Sequence, residues 1–201
     1  TQHVLEKIPG FGSATAAAVK RPEVLLQAEK ELAFIEKNQL TCYFLTDENY
    51  PKRLKECSDA PVLLYFKGGA DLNASRIISI VGTRHATEYG RAMTDELVHT
   101  LSLSIPNLLI VSGLAYGIDV CAHRAALKAN LPTVGVLAHG LDRIYPPSHR
   151  SVAVDMLDRG GLLTEFRSGT EPDKPNFVRR NRIVAGMADA TVVIESAEKG
   201  G

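Results

Sequence analysis

The chain has 201 residues, 45% of them hydrophobic and 23% charged, with 23 basic and 23 acidic side chains in balance. This is the make-up of a globular chain able to bury a good core, as one large domain or one with a small appendage. A formal net charge of zero counts against a broadly basic nucleic-acid binder, so any such contact must come from a local cationic patch. Cys42, Cys57 and Cys121 are far apart with no CxxC, which indicates neither a disulfide framework nor a zinc finger. There is no signal peptide or transmembrane run, so the expected compartment is the cytoplasm, with no membrane partner. The chain begins without Met and stops just after an apolar run; it reads as an excerpt, truncated at its C-terminal side.

Residues 1 to about 38 are helical in pattern. The turn Ile8-Pro9-Gly10-Phe11-Gly12 leads into an Ala-rich run, followed by Val24, Leu25, Ala28, Leu32 and Ile35 at helical spacing. The turn resembles the hairpin of helix–hairpin–helix modules, whose backbone amides hold a DNA phosphate; the plainer reading is a small helical bundle for packing or partner contacts. A boundary is expected near residue 40. Residues 42–45 then read as a short strand, 50–54 as a turn and helix start, and 63–66 as a strand closed by Gly68-Gly69.

The stretch 77–90, IISIVGTRHATEYG, reads as a buried strand, a tight turn at Gly82-Thr83-Arg84 and a helix opening near Thr87. Such a unit aims backbone N–H groups and a positive dipole end above the sheet. Gly82 leaves room for close approach, and Arg84 places a permanent five-donor cation at the rim. The chemistry is that of a phosphate-type anion site, although an ordinary β–α turn with a surface arginine also fits. Further strands are predicted over 108–111, 133–137, 162–164 and 191–194, with helices over 88–103, 118–129, 152–158 and 177–187. Strands alternating with helices give an α/β fold, a Rossmann-like doubly wound and mostly parallel sheet. Ligands of such sheets sit at the carboxyl ends of the strands.

Those ends carry Gly82-Thr83-Arg84, Ser112-Gly113, Gly140, Glu165 and Glu195. No GxGxxG follows any strand, which argues against a standard dinucleotide site. Asp119 and His123 share a helix face; a catalytic or metal pair is conceivable, but the plainer reading is that they bond to each other and to backbone at a helix start. Glu165 and Glu195, both at the ligand edge, fit an acid/base pair; the preferred reading is that they orient Arg84 or the arginines of the last helix. Arg179, Arg180 and Arg182 fall in what reads as the first turns of a helix, where the dipole disfavours cations unless an anion compensates. Asn176, Phe177 and Asn181 add hydrogen-bonding groups and a ring, and Arg143, Tyr145, His149 and Arg150 form a second cationic and aromatic group in loop 141–150. Arginines interleaved with rings suit a single nucleic-acid strand; solvated or internally paired arginines are the alternative.

The ordered series Tyr50-Pro51, Gly82-Thr83-Arg84 with Tyr89-Gly90, Ser112-Gly113-x-Ala115-x-Gly117-Ile118-Asp119 with Ala122-His123, Gly140-Leu141-Asp142 with Tyr145-Pro146, Asn176-Phe177 with Arg180-Asn181-Arg182-Ile183, and Glu195 with Lys199 closely resembles the DNA-processing protein A (Smf) family. The resemblance runs from about Tyr50 to the end. It implies an extended Rossmann-like domain over residues 41–201 and a sterile-alpha-motif-like helical segment over 1–40. It also implies single-stranded DNA binding, homodimers, loading of RecA recombinase in natural transformation, and no enzymatic activity, metal or cofactor. It carries DNA binding onto Arg84 in the Gly82-Thr83-Arg84 turn, onto Ser112-Gly113 and onto Arg180-Asn181-Arg182; Gly140, Tyr145, Asn176, Phe177 and Arg179 complete the expected site. This chain departs from the family at Ser148-His149-Arg150, where an Asn is usual, and at Gly200, where a Ser is usual. The glycine-rich strand ends also resemble the lysine-decarboxylase-like hydrolases that release a base from a nucleoside monophosphate. Only Glu195 with Gly200-Gly201 matches the motif of those enzymes. A third reading is an adaptor role through the helical N-terminal segment.

Overall fold

Near-continuous aliphatic runs suit the strands of a parallel sheet covered on both faces, and from Arg76 onward this chain alternates such runs with amphipathic helices; the last of them, at the sheet margin, stays partly exposed. In the computed structural model, which describes residues 2–19 and 21–196, the runs form β3 (Arg76–Gly82), β4 (Leu108–Ser112), β5 (Thr133–Val136), β6 (Gly161–Thr164) and β7 (Ala190–Ile194). The intervening helices are α5 (Glu88–Ser104), α6 (Ile118–Lys128), α7 (Arg150–Asp155) and α8 (Lys174–Gly186). The parallel strands lie in the order β6-β5-β4-β3-β7, so the chain walks outward from β3 and then returns to lay β7 on the other side of β3. An antiparallel margin completes seven strands: β2 (Leu63–Gly68) pairs with β6, and β1 (Thr41–Phe44) pairs with β2. This is the expected doubly wound, mostly parallel sheet.

Both faces are covered by apolar side chains. On one, Tyr50, Leu54, Leu64, Ile77, Val111, Val134, Leu163, Ile183 and Met187 pack together, which seats α8 and α4 (Lys52–Lys55). On the other, Ile80, Leu108 and Ile110 meet Val98 of α5 and Ile118 and Ala122 of α6. Burying each large aliphatic side chain contributes about 1.5–3 kcal/mol, and β4 and β5 are buried along their whole length. Capping fixes the helix starts. Thr87 accepts the Gly90 N–H (3.1 Å) at the head of α5, and the αL residue Gln39 ends α3 with its N–H on the last carbonyls.

Two compact units divide the chain, Thr1–Leu40 and Thr41–Gly201. Within the first, α1 (Gln2–Leu5), α2 (Ser13–Val19) and α3 (Pro22–Asn38) are short or amphipathic, and α3 buries no residue completely. Among the described residues no helix is long and apolar enough to cross a membrane.

Two sequence expectations need correction. The helix carrying Arg179, Arg180 and Arg182 begins at Lys174, behind Asp173, and not at Phe177. The arginines therefore lie in its second and third turns, where the N-terminal dipole does not bear on them. Gly82 does not leave space for a ligand. A Cβ there would fall on the Ile194 carbonyl oxygen and against the Ile118 side chain, so this glycine lets β3, β7 and α6 close on one another. Gly82→Ala is expected to destabilise the chain by about 2–3 kcal/mol, the scale of core overpacking, read as a lowered urea midpoint with unchanged slope.

Candidate nucleic-acid interface

Arg180 sits at the centre of the carboxyl edge with only 3% of its surface exposed. Its Nη1 donates to the Val136 carbonyl at the end of β5 (2.7 Å). The guanidinium lies on the bare backbone of Gly113, where any Cβ would overlap it. Burial pulls the guanidinium pKa below its ordinary value, while the Asp119 charge opposes that fall. Burial pushes the Asp119 carboxyl upward against the same guanidinium. Arg180 and Asp119 thus compensate one another out of water, the condition on which a buried charge is tolerated.

The Phe177 ring, one turn back on α8, lies beneath two cations. The Arg180 guanidinium carbon is 5.9 Å from the ring centroid and that of Arg84 is 5.0 Å. Tyr145 closes the side of this group, its ring centroid 5.9 Å from that of Phe177, and 41% of the residue is exposed. Tyr145 is held by its backbone N–H, which donates to His139 Nε2 (3.2 Å); the other nitrogen, Nδ1, therefore carries the proton and donates to the Gly140 carbonyl (2.8 Å). Arg84 is exposed, and among the described residues no carboxylate pairs with it. The turn that presents it crosses Gly117, a positive-φ position where a Cβ would strike Thr83 and Arg84 backbone, and Ile118 N–H donates to the Thr83 carbonyl (3.2 Å).

The remaining predicted residues are placed less openly. The Ser112 hydroxyl is fully buried and donates to the Ile80 carbonyl (2.6 Å). Gly140 is packed against Arg167 and Ser168 backbone, and Asn176 donates to the Glu171 carbonyl (3.1 Å). Arg182 and Arg179 both donate to Glu165 Oε2, at 2.6 and 3.0 Å, as the role expected for Glu165 requires; Arg182 also reaches Asp59. Asn181 is exposed. In loop 141–150, Arg143 is paired with Asp142 and Glu171, and His149 is buried with Nδ1 against the Leu114 carbonyl (2.9 Å).

Three further expectations are corrected. The positive end of α5 is not open to a phosphate: the Glu195 carboxylate accepts from Thr87 N–H (2.9 Å) and from the Thr87 hydroxyl, and the Thr87 bonds hold its pKa below the ordinary value. Among the described residues Glu195 accordingly accepts its hydrogen bonds from Thr87 and none from an arginine. Asp119 and His123 are not bonded to each other; Asp119 accepts from Ala115 N–H (3.4 Å), and His123 Nδ1 meets the Thr133 hydroxyl (2.7 Å). Gly117 and His139 are positioning residues whose role has no local sequence signal, although Gly117 lies within the Ser112–Asp119 motif. A cavity of about 750 Å³ lies at the opposite, amino-terminal edge, lined by Asp71, Asn107 and Asn130.

A family model described as DNA recombination-mediator protein A matches residues 41–201. The chain is 40% identical over 172 residues to Protein Smf of Synechocystis, covering 83% of this chain and 43% of that protein. It is 39% identical over 158 residues to the DNA processing protein DprA of Bacillus subtilis, covering 78% and 52%. The chain thus spans about half the length of these curated relatives. Among solved structures, DNA processing protein A of Streptococcus pneumoniae aligns with a TM-score of 0.77 at 32% identity, over 94% of this chain and 67% of that one. The Helicobacter pylori protein, described for its single-stranded DNA binding mode, aligns with a TM-score of 0.71 at 30% identity, over 81% and 72%.

The buried histidine behind Arg180 carries a pH signature. Burial first, then Arg180 and His149, push the His123 pKa from 6.5 to about 3. Between those values the unfolded chain binds a proton that the folded chain refuses, so stability is full above about pH 6.5 and falls as pH drops towards 3. His139 is also lowered by burial and adds in the same direction. The slope from His123 alone approaches about 1.4 kcal/mol per pH unit. His123→Gln should flatten the pH dependence of urea unfolding between about pH 6.5 and 5 relative to wild type.

Proposed function

Because the chain belongs to the DNA recombination-mediator protein A family, we propose that it binds single-stranded DNA along the carboxyl edge of its sheet. One observation carries the reading: the Arg84 guanidinium, with no carboxylate partner among the described residues, stands 5.0 Å over the half-exposed Phe177 ring, with Tyr145 beside it. A cation for the phosphate and rings for the base are what a single strand requires, whereas a duplex hides its base faces. In this reading Arg84 meets a phosphate, Phe177 and Tyr145 take a base, and Arg179 and Asn181 contact the strand beyond. Gly82, Thr83, Ser112, Gly113, Gly140, Asn176, Arg180 and Arg182 shape the floor and hold the contacting groups in place. The description of the Helicobacter pylori protein by its single-stranded DNA binding mode supports the choice of strand.

The fuller proposal has a homodimer pass the bound strand to RecA recombinase during natural transformation in the cytoplasm, with residues 1–40 as a sterile-alpha-motif-like accessory unit. The family's description as a recombination mediator supports it. The nucleotide-hydrolase reading has lost its base, since both Glu195 oxygens accept from Thr87. Gly200 and Gly201, on which that likeness also drew, lie outside the described residues.

Fluorescence anisotropy of an oligo-dT and its duplex over a salt series tests the binding proposal. Single-strand affinity should fall with a log–log slope of about 0.7 per phosphate neutralised. Arg84→Ala should weaken single-strand binding roughly tenfold to a hundredfold, the scale of one charged contact, with an unchanged unfolding midpoint. Equal affinity of variant and wild type would remove Arg84 from the site.

A further inference from the structure

On the flank of α8 away from Phe177, a cleft of about 340 Å³ opens between the loop before β2 and the end of β6, bounded by Asp59, Ala60, Pro61, Glu165, Arg179 and Arg182. Its size falls at the lower end of small-ligand sites, about 300–1,000 Å³. Glu165 is unevenly used. Its side chain is only 4% exposed, Oε2 accepts from both Arg179 and Arg182, and Oε1 is buried without a partner among the described residues. A carboxylate oxygen withdrawn from water and left unpaired is costly, so it stands as an acceptor awaiting a donor. Arg179 is held over the Phe166 ring at 5.7 Å, and a guanidinium seated on one ring can take a second planar group on its opposite face.

We propose that this cleft is a base-reading subsite that accepts a nucleobase bearing an exocyclic amine (cytosine, adenine or guanine) and disfavours thymine. On binding, the Glu165 carboxylate opens towards the cleft so that the amine N–H donates to Oε1 while Arg179 stacks on the base plane. At the corresponding edge position thymine presents a carbonyl, an acceptor facing an acceptor. The subsite rests on the single-strand reading and extends it. Arg179 and Arg182 follow Phe177 by two and five residues on one helix, about 3–7.5 Å along its axis, within reach of a neighbouring nucleotide of the strand held at Phe177.

The test compares oligo-dC with oligo-dT of equal length by anisotropy at one salt concentration. Wild type should bind oligo-dC roughly tenfold more tightly, the discrimination of one hydrogen bond to a charged acceptor. Glu165→Gln should reduce that ratio to near one. Since this change also loosens two arginines, Ala60→Phe serves as the second variant; it fills the cleft from the loop and should abolish the oligo-dC preference while leaving oligo-dT affinity unchanged. Equal binding of the two oligonucleotides by wild type, or a preference that survives Ala60→Phe, would overturn the subsite and leave the single-strand reading standing. Binding of neither oligonucleotide would overturn both.

Discussion

Everything at the carboxyl edge depends on one guanidinium that has been taken out of water. Arg180 is charged and buried; its Nη1 is held by the Val136 carbonyl, its guanidinium lies on the bare backbone of Gly113, and the Asp119 charge offsets its own. A cation in that position is tolerable only if each partner stays in place, so the requirement propagates. Position 113 cannot carry a side chain, Asp119 must face inward from the start of α6, and α8 must lie where it delivers Arg180 to the end of β5. The Phe177 ring, three residues earlier on the same helix, is thereby set at the rim.

The consequence is a division of labour among arginines. Arg180 is compensated by Asp119, Arg179 and Arg182 share Glu165, and Arg143 lies between Asp142 and Glu171. Arg84 stands over Phe177 with no such partner among the described residues. A chain with zero formal net charge can still present a local positive field in this way, because the compensation of Arg143, Arg179, Arg180 and Arg182 leaves Arg84 as the cation beside an open ring. The same economy closes the head of α5, where an internal carboxylate, Glu195, takes the place an external anion could have filled.

The fold was legible because its signals are periodic. Aliphatic runs at 77–81, 108–111 and 191–194 and the helical spacing between them translate directly into strand order and helix faces. Thr87, the true N-cap of α5, was readable as well. Errors arose where a decision depended on partners distant in sequence. Nothing near Gly82 announces that Ile194 and Ile118 will occupy its empty side, and nothing near Thr87 announces Glu195. The onset of α8 lies one turn before the start its apolar spacing suggests; Asp173 followed by Pro175 is the local signal that marks it. Motif content alone also could not separate Arg84 from Arg180, two arginines of the same motif series with opposite exposures.

The claim that a strand's bases stack on Phe177 can be tested at the ring itself. The chain contains no tryptophan, so Phe177→Trp introduces a single indole reporter. Adding oligo-dT should quench its fluorescence in a saturable, salt-sensitive manner, because a base stacked on the indole deactivates its excited state, while the matching duplex should leave the emission little changed. If oligo-dT binds and the emission stays constant, the bases do not lie on Phe177 and the proposed path of the strand is wrong.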